Sequence, residues 1–413
     1  MAVVNPFICT RPNQSVAHRI AALPYDVYSR EEAKQEILKE PLSFLRIDRA
    51  ETNFSDDVST YDAKVYMKAR ELLQEMIEQG NLVVDNEECY YVYELVMDGR
   101  SQTGIVACAS IEDYLDNVIK KHENTREDKE LDRICHVDVC NAQTGPIFLA
   151  YRSREEINAV VNEAKTDEPL YYFTSDDGIG HHVWRISDKK SIAAIQNAFS
   201  EISEIYIADG HHRSASAVKV GLQRRKENPG YTGKEKFNFF LSVLFPHDQL
   251  KILPYNRAVR DLNGLTKEQF LDRVKEYFEI NEFGVTPYSP TEKASFGMYL
   301  DGTWYRLRAK EAITDNDDPV ESLDVSILQN YLLNPILGIK DPRVDKRIDF
   351  IGGIRGLKEL ERRVSEDMNV AFSMYPTSIT ELFEVSDAGK LMPPKSTWFE
   401  PKLRSGLFIH SLS

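Results

Sequence analysis

The residues best equipped for chemistry lie in one run, 205–217, reading IYIADGHHRSASA. Four residues of buried-strand type lead into an Asp209-Gly210 turn, and a helix opens with His211, His212 and Arg213. A glycine at that position lets the chain bend sharply at the strand end. The first amides of a helix have no acceptor inside it, and the helix dipole adds partial positive charge at the same end. Arg213 in the first turn adds a two-pronged grip on an anion. Ser214, Ala215, Ser216 and Ala217 are small, so the helix can lie close to a sheet, and Ser214 offers a hydroxyl. The sum is a cradle of phosphate size. An ordinary strand-to-helix turn would not need this density of anion-binding groups.

Two further runs carry charge in a pattern that suits the same ligand. Residues 120–133, KKHENTREDKELDR, hold Lys121, His122, Glu123 and Arg126. Read as part of a helix over 113–133, the run places Lys121 with Thr125 on one face and His122 with Arg126 on another. His122-Glu123 sets a candidate base beside a candidate metal ligand. The same letters also describe a solvated helix laced with ion pairs. Residues 392–406, MPPKSTWFEPKLRSG, bring Lys395, Lys402 and Arg404 into an acidic chain, with Ser396, Thr397 and Ser405 as hydroxyl donors. Trp398, Phe399 and Leu403 demand burial, which argues for a docked segment over a loose tail. Pro254-Tyr255-Asn256-Arg257 follows a buried strand and suits either a cleft wall or a strand-end turn.

Other chemistries find little support. No P-loop, Rossmann glycine fingerprint or serine nucleophile elbow occurs. The five cysteines are odd in number and match no disulfide framework. Cys135-His136 with Cys140 lacks a second close pair to complete a zinc site. Net charge of -15 argues against broad nucleic-acid binding, which wants a basic face. The chain has no signal peptide and no apolar run long enough to span a bilayer, so a cytoplasmic setting is expected.

At 413 residues, 42% hydrophobic and 28% charged, the chain suits a well-packed protein of two domains. Ser29 with Glu32 reads as a capped helix start, and 58–80 as a helix. Strands are expected over 90–97, 101–108 and 237–245, with two more in 170–186. Helices are expected over 152–166, 189–202 and 265–280, and further strands over 295–309. The fold class is α+β, a mixed α/β arrangement. The polar break Asp261-Leu262-Asn263-Gly264 suggests a core of 1–262 and a smaller C-terminal α+β domain of 263–413, whose basic tail 392–406 docks back on the core.

PYDV at 24–27, KHENTREDKELDR at 121–133, ADGHHRSASA at 208–217 and MPPKSTWFEPKLRSG at 392–406 together resemble the bacterial and archaeal domain of unknown function 1015 family. The resemblance runs end to end. The strand-DGHHR-helix element is also similar to the phosphate-binding motif of the ParB/sulfiredoxin superfamily, which holds nucleotide phosphates at a helix N-terminus. That likeness implies a ParB/sulfiredoxin-like core. Superfamily members include free-serine kinases, CTP-hydrolysing partition proteins and sulfinic acid reductases. Reductase chemistry would need a cysteine where this chain has His211.

These readings give an expectation of a nucleotide-dependent phosphotransferase acting on a small hydroxylated metabolite, with free L-serine as the leading acceptor. Gly210, His211, His212, Arg213 and Ser214 would hold phosphates. Lys121, Arg126, Lys395, Ser396, Thr397, Lys402 and Arg404 would neutralise and orient the transferring group. Glu123 is the expected base, with Asp209 as the alternative and His122 beside them. Mg²⁺ with ATP or ADP is the expected cofactor, bound through phosphate oxygens and a carboxylate, with no dedicated protein metal site. Two alternatives stand open: a nucleotide-binding regulator without turnover, and a metal-dependent hydrolase built on His211, His212 and nearby carboxylates. The oligomeric state is open.

Overall fold

Residues 1–413 are described by a computed structural model. The chain forms two compact units, Met1–Leu250 with Pro401–Ser413, and Lys251–Glu400. The expected division at 262 falls inside the second unit, because strand Tyr255–Val259 pairs there with Ile348–Gly352 and Val370–Met374. The expected tail 392–406 is likewise divided, at Pro401.

The first unit is mixed α/β and is built on a nine-stranded sheet. From one edge, its strands run Ile119–Lys120, Ile205–Asp209, Ile147–Tyr151, Phe239–Pro246, Arg100–Ser110, Tyr90–Met97, Gly180–Ile186 and Tyr171–Thr174, and Val4–Asn5 adds to Arg100–Ser110. The central strands read as unbroken apolar runs because both faces are covered. One face packs Ile105, Ala107, Leu149, Ile205 and Ile207 against Ile157, Ile195 and Phe199 from helices Glu155–Ala164 and Lys189–Ser200. A second core gathers Phe44, Val65, Leu72 and Met76 with Ile409. Ile409 belongs to a four-stranded sheet in which strand Ile409–Ser411 pairs with Cys9–Pro12 and Ala142–Gln143. The chain terminus is thereby fixed within this unit.

Most expected elements form where the periodicity placed them. Ser29 and Glu32 make the anticipated reciprocal cap on helix Arg30–Lys39. One element differs. The stretch 113–133 is not a continuous helix: helix Ile111–Leu115 gives way to strand Ile119–Lys120, then to an irregular segment, and helix Glu127–Cys140 follows. Strand pairing decides this, since Ile119 and Lys120 align parallel with Ile205 and Tyr206 at the sheet edge. The helical faces inferred for Lys121, His122 and Arg126 therefore do not exist.

The second unit carries a six-stranded antiparallel sheet in the order Phe278–Gly284, Thr303–Ala309, Ser295–Leu300, Val370–Met374, Tyr255–Val259 and Ile348–Gly352. Helix Leu357–Glu366 covers it through Leu360, in a core with Ala258, Trp304 and Ala371. No helix in the molecule is long and apolar enough to cross a membrane.

Candidate functional site

The site starts with the end of a strand. Ile205 to Ala208 are buried, and the ladder with Ile147–Tyr151 shifts register between Ile207 and Asp209. Such a bulge re-aims the side chain that follows it. Gly210 then adopts φ of 95°, in the left-handed region, and caps helix His211–Glu227. A β-carbon on Gly210 would lie 3.1 Å from Arg213 Nε, so the guanidinium folds back over the glycine. Arg213 NH1 donates to the Pro146 carbonyl at 2.5 Å, and Arg213 has no carboxylate within ion-pair distance. Its fork is held in place by that carbonyl.

Asp209 meets Lys402 at 3.1 Å. Burial alone would raise the Asp209 carboxyl, but Lys402 and Arg213 outweigh it and hold that carboxyl well below the usual carboxylate range. Asp209 is thus an ionised group with little basicity.

The irregular segment after Lys120 wraps over the helix start. His122 and His211 pack edge to face with ring centroids 4.5 Å apart, both buried. Burial pushes His122 down to about 4 and His211 well below its ordinary value, so both rings are neutral. His122 Nδ1 and His211 Nε2 have no hydrogen-bond partner. Glu123 Oε2 lies 3.6 Å from His211 Nδ1, on a side chain that is 44% exposed. His212 accepts the Arg126 backbone N–H through Nε2 at 3.0 Å, which places its own proton on Nδ1. Thr125 donates to Glu130 at 2.7 Å and pins the segment to the next helix. His122, Glu123, Asp209, Gly210, His211, His212, Arg213 and Lys402 therefore share one neighbourhood. Lys121 sits over the Tyr114 ring at 4.5 Å.

Other expected ligands are occupied elsewhere. Arg404 is buried and binds Asp177, Ser175 Oγ at 3.0 Å and His181 Nε2 at 3.2 Å. The Ser214 hydroxyl donates to the His211 carbonyl at 3.0 Å. Arg126 makes a two-pronged exposed pair with Asp128. Lys395, Ser396 and Thr397 belong to the second unit, where the Ser396 hydroxyl donates to the Pro393 carbonyl.

Beside Arg213 lies a small cavity of about 30 Å³. Its walls include Tyr25, Asp48, Arg133, His136, Thr144 and Ser405. The Arg133 guanidinium stacks over the Tyr25 ring at 3.9 Å and pairs with Asp132 at 2.7 Å. Thr144 Oγ1 donates to Asp48 at 2.8 Å. The four runs that carry the family resemblance each reach this wall: Tyr25 from PYDV, Arg133 from the second run, Arg213 from DGHHR and Ser405 from the last. Tyr25 and Arg133 lay inside those runs, yet nothing in their spacing marked them as lining residues. Asp48 and Thr144 gave no signal, because only the tertiary fold brings them here, and His136 stood out only within an incomplete zinc pattern. His136 faces the Ile47 carbonyl at 3.3 Å, and no group of three or more histidine, cysteine or acidic side chains is arranged to hold a metal ion.

Together these features define a mixed α/β protein in which a strand–glycine–helix turn is followed by an arginine that walls a small cavity. The chain belongs to the family described as "Protein of unknown function (DUF1015)", whose model matches residues 4–326. No curated protein matches it in sequence. Among solved structures it is similar to a free serine kinase in complex with AMP, at 16% identity and TM-score 0.35, over 73% of this chain and 91% of that one. It is also similar to a conserved hypothetical protein from Pyrococcus furiosus, at 14% identity and TM-score 0.34, over 76% and 96% of the two chains. A third likeness is to C-terminally truncated SbnI from Staphylococcus aureus, at 10% identity and TM-score 0.38, over 73% and 85%. All three likenesses are distant.

Proposed function

We propose that the first unit is a nucleotide-dependent phosphotransferase acting on a small hydroxylated metabolite, with free L-serine as the first acceptor to test. The carrying observation is that four separate runs wall one cavity around Arg213, which is fixed by Pro146 and has no carboxylate partner. Phosphoryl transfer needs positioning and charge neutralisation more than covalent chemistry, and this arrangement supplies both. In this reading the amides of residues 211–213 and the Arg213 guanidinium hold phosphate oxygens. Glu123 takes the acceptor hydroxyl proton, since Asp209, held ionised by Lys402, is too weak a base. Asp209 is instead a hard oxygen donor of the kind Mg²⁺ takes alongside phosphates, where the ion would neutralise charge. The neutral His122–His211 pair excludes water beneath the helix start.

The test is incubation with ATP or ADP, Mg²⁺ and an amino-acid panel, read by mass spectrometry for phosphorylated products. Phosphoserine, reduced by Arg213→Ala, supports the reading. Thermal stabilisation by nucleotide without any product would identify a regulator in its place. Neither product nor stabilisation removes the proposal.

A further inference from the structure

The second unit holds a cleft of about 290 Å³ whose charge is unbalanced. Arg257, on strand Tyr255–Val259, lines it and is 3% exposed. Its NH2 donates to the Lys395 carbonyl at 3.1 Å and its NH1 to the Tyr255 carbonyl. Its guanidinium lies over the Phe350 ring at 5.3 Å. No carboxylate forms an ion pair with it. A guanidinium carries five N–H donors, so carbonyls satisfy only part of the fork and none of the charge. An uncompensated buried cation is costly, and an anionic ligand would relieve that cost. Burial alone pulls Arg257 down to about 10.

The rest of the wall agrees. Lys340 is exposed, lines the cleft and makes no ion pair, whereas Arg343 is neutralised by Asp341 at 2.8 Å. Gln329 and Leu333 line it from a π-helical turn, Gln329–Leu333. Such wide turns interrupt helices chiefly at functional places. Pro393 and Pro394 also line it, so the MPPK run meets this cleft. Lys395 itself, at φ of 58°, sits in the strained left-handed region with Nζ 5.5 Å from the Tyr255 ring.

We propose that this cleft is an anion-binding site in its own right, seating a phosphoryl or carboxylate group between Arg257 and Lys340. The assignment is independent of the activity proposed for the first unit. It is tested in full-length protein carrying Arg213→Ala, so that the first unit's cradle is weakened. Inorganic pyrophosphate and malonate are titrated separately, with binding followed by calorimetry. Saturable binding of either anion is expected, and the two arms tell phosphoryl from carboxylate preference. Adding Lys340→Glu, a surface change that leaves the fold intact, should weaken binding about tenfold or more, as loss of a charge-assisted contact does. Arg257→Gln should abolish binding while circular dichroism stays unchanged. Absence of saturable binding by both anions, or affinity unmoved by Lys340→Glu, overturns the proposal.

Discussion

At the scale of single residues, the site separates two carboxylates by environment. Lys402 and Arg213 keep Asp209 ionised, while Glu123 stands partly exposed beside a neutral histidine. Glu123→Gln should therefore lower kcat by roughly 10² or more with nucleotide affinity preserved, read by turnover and calorimetry on the same sample. Lys402→Met removes the nearest charge holding Asp209 down. Its carboxyl should then titrate at higher pH, moving the acid limb of the pH–rate profile upward. An unmoved acid limb would mean Asp209 is not engaged. Arg404→Met makes a contrasting case. It breaks the buried contacts to Asp177 and His181, so it should cost about 3 kcal/mol of stability while leaving nucleotide affinity intact once the protein is folded. The arginine's motif could be read from the chain, but its direction could not: a basic letter near a phosphate motif looks the same whether it faces ligand or core.

At the scale of elements, the strand–DGHHR–helix junction was legible because its parts act locally. An apolar run, a glycine and a block of small residues specify strand, turn and close-packed helix with little help from elsewhere. The 113–133 stretch was not legible for the opposite reason. Its charge pattern satisfies helical spacing, and only the sheet edge offered by Ile205 and Tyr206 extracts Ile119 and Lys120 as a strand. Gly221 shows how tightly the helix is seated: a β-carbon there would come within 2.5 Å of the Phe237 carbonyl. Gly221→Val should destabilise the first unit by about 1–3 kcal/mol, measurable by urea unfolding. If stability is unchanged, the helix is not packed as described.

At the scale of the whole molecule, burial of histidines sets the acid response of the first unit. His122, His136, His181, His211, His212 and His410 are all lowered, with burial as the leading cause. The unfolded chain takes protons on these rings near pH 6.5, whereas folded His122 and His410 resist until about 4 and His181 until about 3. Stability should thus fall by roughly several kcal/mol as pH drops from 6.5 to 4, seen as a falling Tm. Asp113 in the first unit, raised to about 6 by burial, and Asp324 in the second, raised to about 7, work the other way but are outnumbered by the histidines. A flat Tm across that window would contradict the buried, neutral state of these rings. Composition and periodicity conveyed a mixed α/β chain of two parts. They could not convey that residues 401–413 return to the first unit, since that depends on strand Ile409–Ser411 finding partners at Cys9–Pro12 and Ala142–Gln143. The central claim is that the Arg213 cradle seats nucleotide phosphates, and calorimetric titration of full-length protein with ADP and Mg²⁺ tests it most directly. Saturable binding that Arg213→Ala weakens about tenfold or more is the expected result, in keeping with a lost charge-assisted contact. Titrations that show no saturation, or an affinity indifferent to Arg213→Ala, would contradict it.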